Sequence, residues 1–273
     1  MNEFDTANPE QNIPEEQELS HTDKMVGVFT EPAAIYTSTA KFPLRTIDWL
    51  LPFIILLALV AISQVIVTSN PEIAYQIKQK QMEQIEKNFA DAVEKGQMTQ
   101  EQADQQMERI QEQMESFGGG IGKVIQVVSI FIVGFIFFFI VSGIWFLLSK
   151  FALKGDGTYV SALVASGLTA YISMIQVLVT TILAIVMGRL VSDTSVASLM
   201  NIDKTNITGF LLSKLDVFSI WAYAVLGIGL AKLFKSESTG KYIIMVFAVW
   251  LIWSLIVFVI SKAVPFLSFL GGY

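Results

Sequence analysis

The sequence contains no cysteine and a single histidine, His21. Disulfides, thiolate nucleophiles, thiolate metal sites and any histidine-paired catalytic triad are thereby excluded. Charge is scarce as well, at 15% of the 273 residues, where a soluble domain carries about 25%. The net charge is −6, so there is no basic surface for nucleic acid. No Gly-rich phosphate loop, HExxH motif or pair of mid-span carboxylates occurs. No catalytic centre, metal or cofactor is therefore expected.

Apolar residues are plentiful: they make up 53% of the chain, and its mean hydropathy is +0.57. Five runs are long enough for a bilayer crossing, which takes ~20 residues. They lie at about 47–68, 121–148, 159–188, 216–234 and 241–261. The expected fold is all-α, a polytopic membrane bundle of five transmembrane helices. Asp48, Asp216 and Lys232 fall at predicted span ends and read as interfacial anchors. Gln64, Gln126 and Gln176 lie within spans and read as interhelical hydrogen-bonding groups.

Residues 1–23 are acidic, proline-punctuated and poor in apolar side chains. They are expected to be a disordered tail without a cleavable signal, with His21 solvated in it. Residues 24–46 form a lead-in of intermediate polarity, suited to one or two helices at the membrane surface. Pro32 should open a helical turn there, with Thr30 as its cap. Residues 263–273 read as a short interfacial C-terminus.

Between the first two spans, residues 72–117 are polar, with apolar residues at helical spacing. Gly96 should end one helix, and Thr99-x-x-Gln102 is a capping box for a second. This pattern predicts an extramembrane helical hairpin, packed on itself and the spans or offered as a docking arm.

The third span carries a face of small residues. Ser161, Ala165, Thr169 and Ser173 recur every four, beside Ala162, Ser166 and Ala170. In lipid such a face lets another helix approach closely, so these seven are candidate helix-packing residues. The other use of a small-residue groove is to line a substrate path.

Basic residues crowd the span ends on one side, at Lys24, Lys41, Arg45, Lys150, Lys154, Lys232, Lys235 and Lys241. The positive-inside rule then puts the N-terminus in the cytoplasm and the C-terminus outside. The expected location is the cell membrane, or an endomembrane if the source is eukaryotic.

Two stretches carry a resemblance. One is VFTEPAAIYTSTAKFPLRTIDWLLPFIILLAL, a proline-containing lead-in running into the first span. The other is LDVFSIWAYAVLGIGLAKLFKSESTGKYIIMVFAVWLIW, in which an aspartate opens a span and a Lys/Ser loop leads to the last one. Together they resemble the YIP (Ypt-interacting protein) family of five-span membrane proteins, and the chain looks like a bacterial member. For eukaryotic relatives the resemblance implies binding of Rab-type GTPases and a role in vesicle traffic. It implies no enzymatic activity.

Two functions follow as expectations. One is a non-enzymatic membrane scaffold or adaptor of the YIP type. It would engage other membrane or membrane-associated proteins through Glu31 and Pro32, and self-association is left open. The alternative is a small-solute or ion transporter lined by the small face of the third span.

Overall fold

The structure, a computed structural model, describes residues 17–117 and 120–263. Most of the expected acidic tail and all but the first residue of the expected C-terminal segment lie outside these residues. Among the described residues every regular element is helical.

The lead-in forms α1 (His21–Thr30) and α2 (Pro32–Thr39). Helix α1 starts inside the stretch expected to be disordered. The reason is local: Ser20 Oγ accepts the Asp23 N–H, and the Asp23 carboxylate accepts the Ser20 N–H. That reciprocal box satisfies two donors a helix start leaves open. Thr30 is the last residue of α1 rather than the cap of α2. The N-cap of α2 is Glu31, with no side-chain bond, and Pro32 is its first residue.

Helix α3 (Ile47–Ser69) is the first candidate span. Asn70 and Pro71 then restart the chain as α4 (Pro71–Glu94), with Asn70 Oδ1 capping the N–H groups of Glu72 and Ile73. Gly96, at φ +65°, ends α4 in the left-handed region that costs glycine nothing. Helix α5 (Gln100–Phe117) opens with Thr99 and Gln102 exchanging hydrogen bonds. These two helices are the extramembrane hairpin. Its base is tied to the bundle where Ile73 is buried against Val67, Ala184 and Val191, and Gln76 Nε2 donates to Gly188 O.

Helix α6 (Gly120–Leu147) passes through a π-helical turn, Leu148–Ala152, into the loop before α7 (Tyr159–Met187). Two short helices follow, α8 (Val196–Leu199) and α9 (Ile207–Ser213). The chain ends in α10 (Val217–Leu233) and α11 (Thr239–Ala263). Four helices are long and apolar enough to cross a membrane, within α3, α6 to Ala152, α7 and α11. A fifth candidate is the pair of α9 and α10 taken together, rather than the single helix expected at 216–234. Helix α10 spans only about 25 Å, and α9 precedes it at a bend of 57°.

Helix α7 is the hub, buried from Ser161 to Met174 and packed between α3 and α10. A Cβ on Gly167 would lie 2.3 Å from the Trp49 Cα, so α3 and α7 meet backbone to backbone there. Further along, Ser63 and Thr181 join hydroxyls. Both contacts keep the same register, so the two helices run parallel. The lead-in caps this core: Tyr36, Val28 and Lys24 are among the most buried side chains in the protein.

Candidate functional site

The lead-in is held by a polar lock between α1 and the start of α3. Glu18, His21 and Lys24 recur every three residues and face Arg45 and Asp48. Lys24 Nζ donates to Asp48 Oδ2 at 2.7 Å, and both side chains are fully buried. Arg45 Nε lies 3.0 Å from Glu18 Oε1. The His21 ring spans two helices, with Nδ1 3.4 Å from Asp48 Oδ1 and Nε2 2.6 Å from the Tyr171 hydroxyl on α7. Two expectations are corrected here. His21 is not a solvated tail residue, and Asp48 is not an interfacial anchor but half of a buried ion pair.

The signal was present in the sequence. His21-x-x-Lys24 puts two ionisable groups on one helical face, Glu18 precedes the helix, and Ser20-x-x-Asp23 is a helix-start signature. What the spacing lacked was the partner face, which Asp48 in the first turn of α3 and Arg45 just before it supply.

A second anchor lies at Tyr36. Its hydroxyl is 3.2 Å from both Ala165 O and Thr169 Oγ1. Burial pushes this phenol above its ordinary pKa, against a smaller lowering effect from Thr169, so it remains a donor. Gly229 of α10 sits against the Tyr36 ring, with room for no side chain: a Cβ would lie 2.7 Å from Cζ.

Between these anchors α1 and α2 form an elbow. Gly27 is its hinge contact, because Ile35 occupies the space a Cβ would fill. Glu31 stands exposed at the bend. Its N–H donates to Gly27 O and its carbonyl accepts from Ile35 N. Pro32 beside it is half-buried.

Of the seven small residues on α7, Ala162 and Ala165 are completely buried, and Ser161, Thr169 and Ala170 nearly so. Ser166 and Ser173 are half-buried. The stripe lies in the part of α7 that packs against neighbouring helices, with Tyr36 reaching Ala165 and Thr169.

Asp216 also departs from its expected place at a span end. It is the N-cap of α10, and Oδ1 accepts the N–H groups of Phe218 and Ser219 and the Thr194 hydroxyl. Gln176 Nε2 donates to Oδ2 at 2.9 Å. In the shared register of α3 and α7, Gln176 is level with Ala58, halfway along α3. Asp216 therefore sits deep within the thickness of the bundle. For Thr194 to reach it, the chain after Gly188 must fold back along α7. Irregular backbone at such depth requires burial in protein, and Ser195, Ala197 and Ser198 are buried.

The Yip1 domain model matches residues 26–261. The chain belongs to the Yip1 domain family. No curated protein and no solved structure matches it. The match begins within α1 and ends near the close of α11, so the bend between α1 and α2, the candidate spans and the hairpin fall inside the Yip1 domain. The Yip1 family is not a family of enzymes. A Yip1 domain protein with these apolar helices is a multi-pass protein of the lipid bilayer.

Proposed function

We propose that this Yip1 domain protein is a non-enzymatic membrane adaptor, and that the α1–α2 elbow is its docking surface. The observation that carries the reading is the contrast at the elbow. Lys24 and Tyr36 fasten its two arms to the bundle, while Glu31 is left exposed between them. A partner meeting a surface held in one shape gives up less conformational entropy on binding. Glu31 and Pro32 are the contact residues of this reading, and the partner is a membrane or membrane-associated protein. The charge distribution supports an orientation with the elbow in the cytoplasm and the C-terminus outside. The seven small residues of α7 serve to pack helices.

A photo-crosslinking residue at Ala33 or Ala34, both exposed, tests this in native membranes. One discrete partner should be captured, and Glu31→Lys should lose it without altering the unfolding temperature. Equal capture by the wild type and Glu31→Lys would refute the assignment.

One observation favours transport as a second reading. A carboxylate at a helix break deep in the bundle is a feature of substrate and ion pathways, and Asp216 occupies such a break. Solute exchange in liposomes that Asp216→Asn abolishes would replace the adaptor reading.

A further inference from the structure

The loop from α6 to α7 reads LKGDGT, and its two glycines decide its path. A Cβ on Gly157 would lie 2.6 Å from the Phe234 ring, and one on Gly155 would lie 2.3 Å from the Tyr242 hydroxyl. Backbone bonds hold the same course. Gly155 N–H donates to Ser149 O at 2.9 Å, and Asp156 N–H donates to Phe234 O at 2.8 Å. With the backbone pressed onto Phe234, the Asp156 side chain is turned outward and is 81% exposed. Lys150 Nζ lies 3.8 Å from one of its oxygens and Lys235 Nζ 3.9 Å from the other. Both distances exceed a hydrogen bond, so neither ammonium is committed to the carboxylate.

Beside Asp156 lies a cavity of about 370 Å³. Its lining is mixed, polar at Asp156, Thr158, Ser161 and Lys235 and apolar at Leu44, Val160 and Leu233. Val160 belongs to the first turn of α7 and Leu233 is the last residue of α10, so the cavity lies where spans end. Charged and apolar lining together at that level match a phospholipid, whose charged headgroup joins its first acyl carbons there. The charges narrow the class. A headgroup bearing only negative charge would meet Asp156. A headgroup with a phosphate and a primary ammonium matches both charged lining groups, phosphate to Lys235 and ammonium to Asp156.

We propose that this cavity is a binding site for an aminophospholipid drawn from the bilayer, with Asp156 selecting the primary amine and Lys235 holding the phosphate. The site lies at the opposite end of α2 from Glu31, with Ala40 in its lining, and does not depend on the adaptor reading.

The purified full chain in detergent, titrated with phosphatidylethanolamine, phosphatidylcholine and phosphatidylglycerol, tests the site by native mass spectrometry. Choline has no N–H to donate, so phosphatidylethanolamine should bind about tenfold more tightly than phosphatidylcholine. Asp156→Asn should abolish that preference without changing the unfolding temperature of the lipid-free protein. Lys235→Gln should weaken all three lipids. Soluble phosphoethanolamine, which has no acyl chain for the apolar lining, should bind far more weakly than the lipid. Equal binding of the ethanolamine and choline lipids, or a preference that survives Asp156→Asn, overturns the proposal. So does tightest binding of phosphatidylglycerol, or soluble phosphoethanolamine binding as well as the lipid.

Discussion

Lys24 and Asp48 meet at 2.7 Å, although one lies before the first span and the other within it, and neither is exposed to solvent. Their pairing makes α1 part of the membrane bundle. Removing two charges from water costs several kcal/mol each, and only the pairing and the surrounding hydrogen bonds offset this.

Breaking the pair from one side should therefore be severe. Lys24→Met leaves the buried Asp48 with His21 at 3.4 Å and the half-exposed Arg45 at 3.9 Å, and should cost about 3–5 kcal/mol. The double variant Lys24→Met with Asp48→Leu should cost less than Lys24→Met alone, because no unpaired charge remains. Unfolding of the three proteins in detergent decides the order. A double variant as unstable as the single one would mean that packing of α1, not charge pairing, sets the energy.

Close approach of α3 and α7 rests on Gly167. Gly167→Ala drives a methyl into the Trp49 backbone, and overpacking of this kind costs roughly 1–3 kcal/mol. Ala165→Leu and Ser166→Leu should also destabilise the bundle. Leu178→Ala, at a position 49% exposed, should be milder. Equal thermal stability of all four variants would remove the packing role proposed for the small face.

Asp216 is predicted to matter to stability through its hydrogen bonds. Asp216→Ala loses a helix cap worth about 0.5–2 kcal/mol and takes one acceptor each from the Thr194 hydroxyl and the Gln176 amide, leaving them only their 3.3 Å contact with each other. Asp216→Asn keeps an acceptor at the cap and should unfold at a temperature nearer that of the wild type. Indistinguishable melting of the Ala and Asn variants would show that the cap is not what holds this break together.

Orientation can be read by labelling, since the absence of cysteine leaves no background. Cysteines replacing Gln105 and Met200, both exposed, should react with an impermeant maleimide from outside. Ser238→Cys, in the loop between α10 and α11, should not. Labelling of Ser238→Cys in intact cells would reverse the proposed orientation.

Much of the architecture was legible from local pattern. Apolar runs mark the crossings, because a bilayer demands ~20 apolar residues whatever they pack against. Gly96, Thr99 and Gln102 mark the turn of the hairpin, because caps are satisfied within a few residues of chain. Membership of the Yip1 family was legible for a similar reason, through the lead-in and the last two spans read in order.

The candidate sites were legible only in part. Glu31 and Pro32 lie at an exposed bend, and the sequence predicted Pro32 at a helix start. It did not reveal that His21 would find Tyr171, that Lys24 would find Asp48, or that Asp216 would be level with the middle of α3. A charged residue near the end of an apolar run has one appearance in sequence and two fates, headgroup water or a partner on another helix. Helical periodicity describes one helix at a time, whereas burial of a charge depends on which helix comes to lie beside it. Composition and spacing determined that this chain is a helical membrane protein, and the resemblance of two stretches pointed to the Yip1 family. Only the packing of α1, α3, α7 and α10 decided which of its few charges are buried, because their partners are brought in from distant parts of the chain.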